Sequence, residues 1–284
     1  MFFLSFTPFS FLFLLNYILV LVITFNCNNL VIFWLLIEVI NFFYISLAYS
    51  IKLKSIRSLI LFFLIQVFFS FGILFMSLLK YRFLLTLFLM IKLALFPFMS
   101  WFIQTTIFFP SVLVLIRFTC NKIPIFLMIF KFSLKLQWRV LSLSILISML
   151  FSRVIIFYRT SPISLLIYSS IGGNTWLIIR IEVSYYYFII FIVVYFYSLA
   201  GFIKIFIRST HNFFIANNTL FYFVNLASLP PFPLFWLKVF IIIFLIVSNV
   251  YFSILCLILI VSVFIRIGYI QFFLKSILYS QSWV

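Results

Sequence analysis

The sequence predicts an all-α, polytopic membrane protein, and its composition, its scarcity of charge and the length of its apolar runs lead to this prediction. Of the 284 residues, 68% are hydrophobic and only 7% are charged, whereas a soluble domain is about 45–50% apolar and about 25% charged. So few charged side chains could not cover a water-facing surface around a core. The apolar runs have the roughly 20 residues that a spanning helix needs. These observations exclude a soluble enzyme, a disordered chain and a disulfide scaffold.

Breaks in the apolar pattern divide the chain into about ten predicted spans. The spans lie near 3–25, 29–51, 58–79, 83–103, 108–130, 138–157, 162–181, 185–207, 214–245 and 248–274. No stretch is long and polar enough to form a soluble domain. We therefore predict a single integral membrane domain over residues 1–284, with a first five-helix half over 1–135 and a second over 136–284.

Prolines interrupt two of the predicted spans. Pro97 lies inside the apolar run of the fourth span, and Pro230 and Pro231 lie at the middle of the ninth. Because proline removes a backbone donor and clashes with the preceding turn, both helices should kink or break. Each of these spans is the fourth of a five-helix half, and paired broken helices are typical of inverted-repeat transporter folds. Prolines are also common in membrane helices generally, and this alternative stays open at this point.

The charge balance is strongly positive, with 19 Lys and Arg residues against two acids, Glu38 and Glu182. A net charge of +17 can indicate nucleic-acid binding. Here the basic residues are spread singly between apolar runs, which favours the positive-inside bias and anionic lipid instead. We therefore expect membrane lipids such as cardiolipin, and no nucleic acid, among the partners.

Four charged side chains within the predicted spans are hard to explain as structure: Glu38, Lys92, Lys122 and Lys238. Lys92 follows Arg82 by ten residues, and ten helical residues rise about 15 Å, which places Lys92 near the bilayer midplane. Each central lysine costs roughly 2.5–3.5 kcal/mol on membrane insertion. A hydrated polar chain, in which buried lysines release and regain protons, would explain their presence. We therefore predict a proton relay through these residues.

The alternative for an intramembrane lysine is snorkelling, in which the long stem carries the ammonium to the headgroups. Snorkelling explains lysines near predicted span ends, such as Lys80 and Lys131. It explains Lys92 poorly, because Lys92 is far from either end of its span. Arginine is poor at releasing protons, so we interpret Arg117 as a fixed structural charge.

We expect no metal ion and no cofactor on this chain. Cys27, Cys120 and Cys256 are far apart and form no CxxC pair, whereas iron–sulfur and zinc sites need several closely spaced ligands. The single histidine, His211, falls in a predicted loop. The sequence also has no Gly-rich phosphate loop and no nucleophile–base arrangement. The chain should therefore carry neither nucleotide nor electrons.

Three segments carry a resemblance to a known family. KLALFPFMSWF (92–102), YSSI (168–171) and LASLPPFPLFWLK (226–238) are similar to its K-x-x-x-x-P-F-x-x-W, Y-S-S-I and L-x-x-L-P-P-F-x-x-F-x-x-K patterns. The chain resembles the NADH dehydrogenase subunit 2 family, the mitochondrially encoded antiporter-like subunits of respiratory complex I. The resemblance runs in the same order from Glu38 to Lys238.

The resemblance implies a fold of two inverted five-helix repeats, each with a broken helix. It implies that Glu38 is the acid that pairs with the first lysine and that Lys92 is this lysine. Lys122 would be the central relay lysine, and Lys238 the lysine of the second broken helix. The family often has a histidine after the Y-S-S-I motif, where this chain has Gly173.

The function that the resemblance implies is proton translocation by a redox-inactive subunit of NADH:ubiquinone oxidoreductase in the mitochondrial inner membrane. NADH, FMN, iron–sulfur clusters and ubiquinone would lie on other subunits, and the partners would be other membrane-arm subunits, including neighbouring antiporter-like ones. One alternative is a stand-alone cation/proton antiporter, although two acids leave few ligands for a selective ion site. A purely structural membrane scaffold is the other alternative.

Overall fold

The computed structural model describes residues 8–51, 55–132, 136–158, 162–183, 185–208, 222, 225–226, 228–230, 232–247 and 267. Helices account for most of these residues, and the described part of the chain contains no strand. The all-α prediction is confirmed for this part. The chain divides into two compact units, Met1–Ile145 and Leu146–Val284. The predicted halves, 1–135 and 136–284, and their inverted relation remain predictions.

The first unit begins with three long helices and continues with shorter ones. They are α1 (Pro8–Asn26), α2 (Leu30–Ser50), α3 (Ile56–Leu79), α4 (Arg82–Lys92), α5 (Ser100–Thr106), α6 (Ser111–Phe118) and α7 (Ile123–Lys131). Helix α8 (Trp138–Tyr158) begins near the end of this unit. Side-chain caps explain two of these starts, because the side chain of Asn29 accepts from the backbone of α2 and that of Ser55 from the backbone of α3.

Four helical stretches in the described residues are long and apolar enough to cross a membrane: Pro8–Asn26, Leu30–Ser50, Ile56–Leu79 and Val112–Lys131. The last of these combines α6 and α7. Large apolar side chains stay exposed on α3, where Phe68 is 68% and Leu64 is 61% exposed. An exposed apolar surface of this kind suits hydrocarbon rather than water.

Helix α3 packs closely against α4, and α2 packs against both α1 and α3. A side chain at Gly72 of α3 would place its Cβ 2.9 Å from the ring of Phe88 on α4, so glycine permits this close approach.

Two predicted spans of the first unit are each divided into two helices. The fourth, 83–103, is divided into α4 and α5, and residues 93–99 between them are not helical. The fifth, 108–130, which the apolar pattern predicts as one span, is interrupted at residues 119–122 between α6 and α7. Pro124 lies in the first turn of α7, where its missing N–H prevents the normal helical bond to the preceding turn.

The second unit contains α9 (Pro162–Val183), α10 (Tyr185–Arg208) and α11 (Pro233–Val247), which pack on one another. Pro230 lies in the turn before α11. Pro233 occupies the first position of α11, where a missing N–H costs nothing. Pro231 and almost all of the predicted tenth span lie outside the described residues.

Candidate functional site

Helix α4 ends at Lys92 in a Schellman motif. The N–H of Leu95 donates to the carbonyl of Met90 at 2.9 Å, and the N–H of Ala94 donates to the carbonyl of Ile91 at 3.1 Å. Ala94 has φ 55°, the left-handed conformation that this motif requires. Lys92 is thereby held in the last helical turn, where the partial negative charge of the helix end favours a cation.

Pro97 and Trp101 complete this interruption. Pro97 lies in the non-helical stretch, and Trp101 lies in the first turn of α5. The indole N–H of Trp101 donates to the carbonyl of Ile91 at 3.0 Å. The Ile91 carbonyl, one residue before Lys92, therefore accepts from both Ala94 and Trp101. The lysine, proline and tryptophan of the sequence motif therefore form one local structure.

Lys92 is buried, with 5% of its surface exposed. Its charged partner is Glu38 in the middle of α2, and the two groups interact electrostatically. The hydroxyl of Ser70, on the intervening α3, donates a hydrogen bond to the Glu38 carboxylate. Burial disfavours the ammonium charge, and the carboxylate opposes this penalty. The structure therefore brings together the acid and the first lysine that the sequence singled out.

Lys122 is the residue immediately before α7, at the second interruption, and is 7% exposed. The local hydrogen bonds differ from those of a helix, since the N–H of Asn121 donates to the carbonyl of Ile116 at 3.1 Å and that of Lys122 to Thr119 at 3.1 Å. The hydroxyl of Tyr17 on α1 donates to the side-chain oxygen of Asn121. A contact from a distant helix thus holds the turn that positions Lys122.

Aromatic rings surround both cations of the α6–α7 region. The Lys122 Nζ lies 5.6 Å from the ring centroid of Phe102 and 5.5 Å from that of Phe118. Four rings lie 4.6–5.3 Å from the Arg117 guanidinium carbon: Phe62, Trp101, Phe102 and Phe109. Such distances allow cation–π attraction.

Arg117, which the sequence predicts as a fixed structural charge, lies beside the proposed relay residue Lys122. It is 2% exposed, and its Nη2 donates to the Thr105 hydroxyl at 2.6 Å. Its Nε and Nη1 have no hydrogen-bond partner among the described residues. Arg117 also interacts electrostatically with Lys122. The sequence around Arg117 is rich in aromatic residues. This is not a distinctive signal, because phenylalanine is abundant throughout the chain.

Lys131, which the sequence predicts to snorkel, has defined hydrogen-bond acceptors. Its ammonium donates to the carbonyls of Thr24 at 3.4 Å and Cys27 at 3.0 Å, and also to that of Phe25. These carbonyls lie at the C-terminal end of α1, so Lys131 serves as a cap for that helix.

In the second unit, Lys238 lies in the second turn of α11. Its Nζ donates to the Ser228 hydroxyl at 2.5 Å and lies 5.6 Å from the ring centroid of Trp176 on α9. Ser228 precedes the helix and has φ 52°. The Asn225 side chain accepts from the N–H of Leu234 at 3.4 Å, which caps the start of α11. Lys238 thus contacts the non-helical stretch before α11 through Ser228, whereas Lys92 directly precedes such a stretch.

The described residues contain no group of three or more His, Cys, Asp and Glu side chains that could hold a metal ion. The expectation that the chain carries no cofactor remains a prediction.

A chain of respiratory complex I from Thermus thermophilus, in a structure with bound aureothin, has a similar fold. The TM-score is 0.78 at 16% sequence identity, over 93% of this chain and 69% of that chain. At this identity the likeness establishes the fold alone. The sequence matches no protein-family model and no curated protein.

Proposed function

We propose that this chain is a proton-translocating, antiporter-like membrane subunit of NADH:ubiquinone oxidoreductase, the respiratory complex I of the mitochondrial inner membrane. The observation that carries the proposal is the buried Lys92 at a helix interruption, which interacts electrostatically with Glu38. The fold shared with a complex I chain supports the same assignment. NADH, FMN, iron–sulfur clusters and ubiquinone are assigned to other subunits, because the proposed relay needs no redox group.

The relay works by electrostatics. While the Glu38 carboxylate is close, it stabilises the charged form of Lys92 against burial. When neighbouring subunits weaken this interaction, the ammonium gives a proton to water and the lysine becomes neutral. Lys122 and Lys238 are the next proton carriers of the relay. Energy for each cycle comes from quinone reduction elsewhere in the complex, and the two inverted repeats provide the paired broken helices.

The partners in this proposal are the other membrane-arm subunits, including neighbouring antiporter-like ones, and anionic lipids such as cardiolipin. Anionic lipid suits a chain with a net charge of +17.

The test is Lys92→Met in the assembled complex. Methionine has a similar length but carries no proton, so the complex should assemble and reduce artificial acceptors upstream of quinone at the normal rate. Proton pumping and quinone-linked turnover should fall together by roughly 10²-fold, the usual contribution of a positioned proton-transfer group.

Lys80→Met is the matched control, because Lys80 is an exposed residue at the end of α3. Pumping in this variant should stay within about twofold of the unmodified complex. Equal and negligible effects of the two substitutions would contradict the relay.

A further inference from the structure

A small cavity adjoins Lys238 in the second unit. Ser169, Gly173 and Trp176 of α9 line it on one side and Tyr195 of α10 on another. Its volume is about 20 Å³, and a cavity of roughly 10–15 Å³ or more can hold a water molecule when polar groups line it. The cavity is therefore large enough for one water molecule, and its lining is partly polar.

Gly173 and Phe191 determine where the Tyr195 hydroxyl lies. A Cβ at Gly173 would be 3.4 Å from Tyr195 Oη, so the glycine leaves open the space next to this hydroxyl. The ring of Tyr195 is stacked on that of Phe191, with centroids 5.8 Å apart and an interplanar angle of 6°. The stacking holds a buried hydroxyl at the cavity wall.

Trp176 supplies an independent sign that a polar ligand belongs here. It is 1% exposed, and its Nε1 has no hydrogen-bond partner among the described residues. Buried donors without a partner cost about 1–3 kcal/mol, so a buried N–H beside a cavity of this size points to a bound water. The same tryptophan presents its ring to Lys238 Nζ at 5.6 Å.

We propose that the cavity binds one water molecule between Lys238 and Tyr195, and that Tyr195 is a proton-relay residue. In this step the Lys238 ammonium gives a proton to the water oxygen. The water gives one of its own protons to Tyr195 Oη, whose original hydroxyl proton passes to a second water molecule, which leaves as hydronium. Lys238 ends neutral, and the water and the tyrosine are unchanged. The inference rests on the proposed function and adds a residue to it.

The experiment compares Tyr195→Phe with Tyr197→Phe in the assembled complex. Tyr195→Phe removes one oxygen and keeps the stack on Phe191. Tyr197 lies on the same helix, is 59% exposed and has its hydroxyl 3.3 Å from that of Tyr222. Tyr195→Phe should lower quinone-linked proton pumping by about tenfold or more, with upstream electron transfer to artificial acceptors unchanged. Tyr197→Phe should pump within about twofold of the unmodified complex.

Gly173→Ala gives a second test that keeps the hydroxyl. Its methyl group would meet Tyr195 at ordinary van der Waals contact, while it takes up space that the water needs. We expect the same loss of pumping as in Tyr195→Phe, with normal assembly on a native gel. Normal pumping in Gly173→Ala would overturn the water site.

Lys238→Met separates failure of the inference from failure of the proposed function. If Lys238→Met abolishes pumping while Tyr195→Phe pumps like Tyr197→Phe, the role of Tyr195 is wrong and the lysine relay stands. If Lys238→Met pumps normally, Lys238 carries no proton and both proposals fail at this site.

Discussion

Arg117 is a buried cation whose neighbours are aromatic rings and a threonine hydroxyl. Ring faces attract the guanidinium and replace part of its lost hydration. Its charge is permanent and interacts with that of Lys122. Because like charges repel, a proton that leaves Lys122 relieves this repulsion. Arg117 therefore acts on the proposed relay through a neighbouring lysine, without exchanging protons itself.

Thr105→Val tests how Arg117 is held. The substitution removes the acceptor of the 2.6 Å bond from Nη2 and leaves a further donor of a buried charged group without a partner. The free energy of unfolding should fall by about 1.5–3 kcal/mol, the range for hydrogen bonds to charged groups. Heat denaturation of the purified complex measures the change.

Thr106→Val is the matched control for Thr105→Val. Thr106 is the next residue on α5, is buried, and donates only to the Phe102 carbonyl of its own helix at 2.5 Å. Its loss should cost about 0.5–1.5 kcal/mol. A greater loss in Thr106→Val than in Thr105→Val would show that the bond to Arg117 contributes little.

The interruption between α4 and α5 depends on a left-handed residue that is not glycine. Ala94 has φ 55°, a conformation that costs an L-residue roughly 1–2 kcal/mol. Ala94→Gly should therefore raise the free energy of unfolding by about 0.5–1 kcal/mol. Thermal inactivation of quinone-linked turnover measures the shift.

Ala48→Gly is the same chemical change, but it should lower the free energy of unfolding. Ala48 is buried within α2, and glycine inside a helix costs about 1 kcal/mol relative to alanine. Shifts of the same sign in the two variants would mean that Ala94 is not under backbone strain.

The sequence predicts one of the two helix interruptions in the first unit and misses the other. Pro97 falls in the middle of an apolar run, where a proline cannot be accommodated without a break. Pro124 falls in the first turn of α7, and from sequence alone it is also compatible with a gently kinked single span. The interruption before α7 includes a contact between Tyr17 and Asn121, which are 104 residues apart in the chain. Local sequence carries no signal of such a contact.

At the scale of the whole molecule, the composition was enough to predict the all-α class. This class follows from the total number of apolar residues, whatever their exact order. The inverted relation of the two halves, which the paired prolines predict, stays a prediction, because it depends on long-range packing. The aromatic surroundings of Arg117 are likewise assembled from α3, α5 and the segment after α5.

A native gel tests the assembly that the proposed function requires. Large apolar side chains on α3 stay exposed, and such a surface calls for lipid or neighbouring membrane subunits. After mild solubilisation the chain should migrate in a megadalton-scale assembly that stains for NADH dehydrogenase activity. Migration as an isolated small species would favour a stand-alone antiporter instead.

Lys131 has a consequence for the order of events during synthesis. The carbonyls that it caps belong to α1, and Lys131 follows Thr24 by 107 residues. At 5–20 residues per second the ribosome needs roughly 5–20 s to make that stretch. During this interval the end of α1 has only water or lipid headgroups as partners. A nascent chain that stalls before residue 131 therefore lacks the hydrogen bonds from Lys131 to the end of α1. These bonds between α1 and α7 form only after α7 has been synthesised.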